Sequence, residues 1–255
     1  MKRKIIKWAG RLLSLFLFLF VILITIVLNP ILTYAHKTTF SNFTIYHEKP
    51  LDKEFESILN AAIKLLKTSE IYDANLKIDL CLNDGSTYPK IVQSFQSPAF
   101  GIGFYNKIVI MGTMNCTENY DALNGYKWNL TQLITHEAIH CFQFNKFGFW
   151  KSNPMATYPD WKWEGYNEYV ARQSTDQTNL FENIERLNAA DSTDKTEWGV
   201  MFADSTFVGK DYYRWWILMQ YCMDTKKMTY QQVLQDTTQE KNVRQEMLNW
   251  YKSQK

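Results

Sequence analysis

Several things are scarce in this chain of 255 residues. It has four cysteines, Cys81, Cys116, Cys141 and Cys222, and no two of them stand in a C-x-x-C spacing, so a cysteine-built metal cluster is excluded. Outside the cytoplasm they can pair, and Cys81 with Cys116 is the preferred pair because both lie beside predicted strands; the alternative is four small buried apolar residues. Charge of one sign is also missing. Lys and Arg total 28 against 26 Asp and Glu, a formal net charge of +2, and much of that excess sits at the extreme N-terminus. No basic patch remains on the rest of the chain to bind nucleic acid. Internal repeats and low-complexity tracts are absent beyond the N-terminal segment. Histidines number only four, and two of them fall within five residues.

The one long apolar run lies at the start. Lys2, Arg3, Lys4, Lys7 and Arg11 precede a stretch from Leu12 to Leu28 interrupted only by Ser14 and Thr25. A spanning helix needs about 17 to 25 apolar residues, whereas a signal-peptide core is about 7 to 15. Residues 1–35 therefore read as a basic cytoplasmic flank and a transmembrane anchor. Cleavage after Ala35, with Thr33 two residues before it, is the alternative and would give a secreted protein. In both cases the flank stays cytoplasmic and residues 36–255, about one ordinary domain, face outward.

Within that domain, Phe40 to His47 alternates as a half-buried strand, Leu51 to Thr68 repeats apolar residues at helical spacing, and Leu76 to Leu82 is a second strand. The prolines and glycines between Tyr88 and Tyr105 predict a loop, and the β-branched run Lys107 to Met111 a third strand. From Leu130 onward the pattern is helical: Leu130 to Lys146, Glu164 to Gln173, Asn179 to Ala190, Thr206 to Cys222, and a stretch after Thr229. Strands first and helices second is an α+β arrangement, with a small sheet packed on a mainly helical body. Asn42, Asn115 and Asn129 each open an Asn-x-Ser/Thr triplet, which means glycosylation only in a eukaryotic secretory context.

The chemistry concentrates at His136-Glu137-Ala138-Ile139-His140. Histidines four apart on a helix share a face, so both imidazoles can reach one ion at about 2.0–2.1 Å. Glu137 lies beside them as a general base for water, whose pKa zinc lowers to about 7. The uncharged flanks, Ile134, Thr135, Cys141 and Phe142, suit a helix buried beneath an active site. A catalytic zinc needs a third protein ligand and an open position. Glu164, in Trp161-Lys162-Trp163-Glu164-Gly165-Tyr166-Asn167-Glu168-Tyr169, is the candidate, reached through an irregular connection carrying Pro154 and Pro159. Glu168, one turn on, is placed to accept the free N–H of a ligating imidazole. Trp150, Tyr158, Trp161 and Trp163 crowd the connection between the ligands, where packing is favoured over a role in lining the cleft.

HEAIH followed by WEGYNEY resembles the gluzincin zinc metallopeptidases, those with peptidase MA-like domains, over about forty residues from His136 to Arg172. The resemblance implies a zincin-like domain with one zinc ion per chain, His136, His140 and Glu164 as ligands, Glu137 as base, and Glu168 behind a ligand. It also implies a peptide or protein substrate. An oxyanion donor is expected, with Tyr212 and Tyr213 the candidates by position, and an edge strand that pairs with substrate, with Lys107 to Met111 the candidate by order. Twenty-three residues separate His140 from Glu164, more than in the aminopeptidase group, and no glycine-rich exopeptidase signature is recognisable. Aminopeptidase activity is therefore in doubt. A different class of function remains beside this one: a surface-anchored binding domain that keeps the fold without catalysis.

Overall fold

The computed structural model describes residues 2–95, 98–174, 176–193 and 198–255. The side chains of residues 2–6, including the basic Lys2, Arg3 and Lys4, lie outside the described part. The N-terminal run forms one helix, α1 (Lys2–Leu28), of which Lys7–Leu28 is long and apolar enough to cross a membrane or to act as a signal sequence. Its mean hydropathy is 2.8 and none of it is buried in the protein, unlike the core helix of a globular domain.

A single turn of 3₁₀ helix (Pro30–Leu32) leads into a hairpin of β1 (His36–Phe40) and β2 (Phe43–His47), so the expected single strand from Phe40 is two strands folded at Ser41, which takes a left-handed φ of 55°. Helix α2 (Phe55–Leu66) follows, starting later than Leu51 because Pro50 and Asp52 stand in the approach. It crosses to β3 (Ile78–Cys81), parallel to β2. Where a loop was expected, α3 (Tyr88–Gln93) and β4 (Gly101–Phe104) form, and β5 (Lys107–Ile110) returns antiparallel to β4. The sheet runs β1-β2-β3-β5-β4. Strand β5 is thus interior, buried at every residue, and the edge on that side is β4; the candidate edge strand Lys107–Met111 is corrected accordingly. A continuous β-branched run is what a strand covered on both faces looks like, whereas Gly-Ile-Gly-Phe hides a strand behind its glycines.

A meander of β6 (Thr113–Asn115), β7 (Tyr120–Leu123) and β8 (Tyr126–Asn129) passes straight into α4 (Leu130–Phe147). Asn129 ends the strand and caps the helix, its Oδ1 accepting from Gln132 N–H at 3.0 Å. Asn42 is buried, its amide donating to Leu76 O, so two of the three triplet asparagines serve the fold. Helix α5 (Asp160–Ala171) begins after Pro159, one turn before Glu164. Next come α6 (Leu180–Thr193), a hairpin of β9 (Gly199–Met201) and β10 (Phe207–Gly209), and α7 (Lys210–Gln220) with a π turn at Tyr221–Thr225. Residues 207–209 are therefore strand rather than the expected helix. The chain ends with α8 (Tyr230–Gln235) and α9 (Glu240–Ser253).

Mixed α+β architecture is as expected. One core joins the sheet, α2, α4, α5 and α7. Helix α4 lies between sheet and helices and is buried on nearly every side. Gly165 lets α5 approach α7 closely: a Cβ there would stand 2.7 Å from Trp215 O. All four cysteines are free. Cys81 is sealed among Tyr34, Tyr46 and Tyr88, away from Cys116, so the preferred pair does not form.

Candidate metal centre and its cleft

His136 and His140 project from one face of α4, as the i, i+4 spacing requires, with ring centroids 5.2 Å apart. Helix α5 brings Glu164 against them: its Oε2 lies 3.2 Å from His136 Nε2 and 3.3 Å from His140 Nε2. In a tetrahedron with bonds of about 2.1 Å, ligand atoms stand about 3.4 Å apart, so these separations are those of donors around one small cation. His136, Glu137 and His140 also offer ligand atoms within 4.8 Å of one another, a group that could hold a metal ion.

Behind the donors each ring is held at its other nitrogen. Glu168 Oε1 is 2.8 Å from His136 Nδ1, and its Oε2 accepts from Arg172 Nε at 2.7 Å. Arg172 is itself buried, donates to Gln132 Oε1 at 2.9 Å, and lies over the Trp216 ring. Gln143 does the same for His140: its Oε1 is 3.0 Å from His140 Nδ1, while its amide donates to Trp163 O and Tyr230 Oη. Both rings are thereby turned with Nε2 toward Glu164. The Asn167 amide nitrogen also touches His140, 2.9 Å from Nε2, and leaves its buried Oδ1 without a hydrogen-bond partner. Gln143 and Asn167 were not anticipated, although each follows a site residue by three positions, one turn along the same helix.

Electrostatics express this crowding. Burial pushes the His136 and His140 imidazoliums down, but the carboxylates around them more than reverse it, Glu164 and Glu168 at His136 and Glu164 at His140. Burial raises Glu164 too, yet His140 and His136 hold it well below the usual range. Glu168 is also raised by burial and brought below its ordinary value by Arg172 and His136. Glu137 differs: burial dominates and its carboxyl stands above the ordinary range despite the two histidines. Three carboxylates around two imidazoles, with one guanidinium behind, make a place where a divalent cation can replace bound protons.

Edge strand β4 closes one side. A Cβ on Gly101 would meet the Glu137 side chain at 3.0 Å, and one on Gly103 would meet Glu137 O at 2.2 Å. Only glycine permits that approach, and it leaves the outer edge of β4 beside Glu137. A cavity of about 330 Å³ opens from His136 and Glu137, walled by Phe100, Tyr126, Trp128, Trp198 and Tyr212.

Tyr212 stands on this side of α7, its ring 5.9 Å from that of His136. Tyr213 does not reach the site. One residue on, about 100° around the helix, its hydroxyl donates to Asn183 O at 3.0 Å and takes a bond from Arg186, deep in the core. It is corrected to a packing residue. Trp161 and Trp163 are core, Trp163 stacked on Tyr158 at 5.5 Å, and Trp150 is exposed. The aromatics that wall the cleft come instead from β8 (Tyr126, Trp128), from α7 (Tyr212) and from the segments just before β4 (Phe100) and β9 (Trp198). No protein family, curated protein or solved structure matches the chain.

Proposed function

We propose that the chain is a membrane-anchored zinc metallopeptidase of the gluzincin kind, its zincin-like domain outside the cytoplasm. The observation that carries the reading is that Glu164 Oε2 stands 3.2 Å from His136 Nε2 and 3.3 Å from His140 Nε2, with the Glu137 carboxyl alongside. Two imidazoles and one carboxylate with an open position are the ligands of catalytic rather than structural zinc. When bound, zinc would polarise the scissile carbonyl and make water acidic enough to attack near neutral pH.

The chain's own groups do the rest. Glu137 takes a proton at its carboxylate from the attacking water as the new C–O bond forms, and delivers it to the amine nitrogen as the C–N bond breaks. Its raised carboxyl brings it nearer the working pH, where a group can both accept and return a proton. Tyr212 faces the site and is the donor to the carbonyl oxygen as charge develops there. Extended substrate backbone adds to the free edge of β4, about 4.8 Å from it, and a side chain of that segment enters the aromatic cavity.

Metal analysis and activity test this together. The full chain in detergent should carry about one zinc per molecule, lost in His140→Ala and Glu164→Ala. Glu137→Gln should keep the metal and lose cleavage of a peptide library. Cleavage by Glu137→Gln at the wild-type rate removes Glu137 from the mechanism. Metal bound without any cleavage by wild type favours the silent binding domain, and a folded wild type that takes up no zinc ends the reading.

A further inference from the structure

The domain does not hang from α1 on a tether. Seven residues, 29–35, join α1 to β1, and they are tied down along their length. Pro30 and Tyr34 are buried; Tyr34 Oη donates to Leu82 O and Ser86 Oγ to Thr33 O, both at 2.8 Å. Tyr88 Oη, from α3, donates to Val27 O inside α1 itself at 2.6 Å. The helix end is thus built into the domain, and its depth in a membrane fixes the depth of whatever stands beside it.

What stands beside it is apolar. A groove of about 320 Å³ has α1 as one wall, through Phe20, Leu23, Ile24 and Val27, and Phe95, Ile102 and Phe104 on the other side. Those α1 residues cover about 10 Å of its axis and belong to the span itself. Phe95, 62% exposed, lines this groove and is turned outward, and Tyr105, 66% exposed, stands at the β4–β5 turn next to Phe104. Strand alternation explains the arrangement: Gly101 and Gly103 turn to α4, Ile102 and Phe104 to α1.

We propose that the groove between α1, the end of α3 and β4 is filled by phospholipid acyl chains, so that Phe95 and the Ile102–Tyr105 segment enter the leaflet from which α1 emerges. The argument rests on α1 lying in a membrane and not on the metallopeptidase reading. Since α1 is apolar on the groove side at the level of Phe20 to Val27, water there would face hydrocarbon on both walls, whereas interfacial elements ordinarily sink about 5–10 Å into lipid.

Photolabelling decides it. The full chain is reconstituted in phosphatidylcholine vesicles doped with a lipid bearing a diazirine at the acyl terminus, illuminated, digested and mapped by mass spectrometry. Adducts are expected on α1, and on the peptides carrying Phe95 and Ile102–Tyr105 at about tenfold the yield on α9. Labelling of α1 with the two segments no higher than α9 overturns the proposal, as does labelling of those segments only by a headgroup diazirine. An unlabelled α1 overturns it too, because the groove then has no wall in lipid.

Discussion

Replacing Glu168 with Gln separates what a buried carboxylate does for the proposed zinc site from what it does for the fold. Glu168 is 1% exposed and bonded on one oxygen to His136 Nδ1 at 2.8 Å and on the other to Arg172 Nε at 2.7 Å. With Gln, the negative charge that makes the His136 ring a stronger donor disappears, and zinc affinity should fall about 10–100-fold, equivalent to about 1.4–2.8 kcal/mol. Stability should fall as well, since Arg172 is also 1% exposed and breaking a buried ion pair costs about 3–5 kcal/mol, less here because Gln still accepts one bond. Adding Arg172→Met removes the stranded charge. The double variant should regain most of the stability, read by urea denaturation, and none of the affinity, read by competition with a chromophoric chelator. The reasoning fails if Glu168→Gln binds zinc as wild type does. It fails equally if the double variant recovers affinity along with stability, because Glu168 would then act only by keeping the protein folded.

Gly103→Ala places a methyl 2.2 Å from Glu137 O and 2.9 Å from His140 Cβ, so strand and helix must part. A loss of about 1–3 kcal/mol in denaturation and reduced peptide cleavage are expected, and unchanged stability would show that the contact yields freely. Asp121 accepts one bond, from Gly112 N–H at 3.1 Å, leaves Oδ1 unpartnered, and is raised by burial to about 8. The folded state therefore holds a proton that the unfolded chain releases above its ordinary 3.8. Stability should be fullest below that value and fall as pH rises toward 8, by at most about 1.4 kcal/mol per pH unit. Asp121→Asn should flatten this slope in urea midpoints measured from about pH 5 to 9, and parallel profiles would contradict the assignment.

Which parts of this could be read beforehand follows from how local their causes are. His136 and His140, and Glu164 and Glu168, are pairs four apart, and one helical turn is enough to align each pair. That α5 would then set Glu164 Oε2 midway between two imidazoles depends on a packing of α4, α5 and α7 that no spacing encodes. Tyr212 and Tyr213 are equivalent in sequence, and only the rotation of α7 separates them. Strand β4 and the β6–β8 meander escaped notice because they are three or four residues long, interrupted by glycine or polar side chains, and owe their form to pairing. Gln143 was legible, one turn beyond His140, but glutamine on a helix has too many ordinary uses to stand out.

Strand β8 becomes helix α4 without an intervening loop, so Tyr126 and Trp128, which wall the cavity, share one unbroken stretch of regular backbone with His136 and Glu137. A lever without a hinge carries displacement undiminished from end to end. A substrate side chain pressing on Trp128 would act on Glu137 through this continuous backbone, whereas a misfit in a loop-built pocket would be absorbed by the loop. In the proposed peptidase, choosing a side chain and aligning the bond beside it would be, in such a joint, one and the same event.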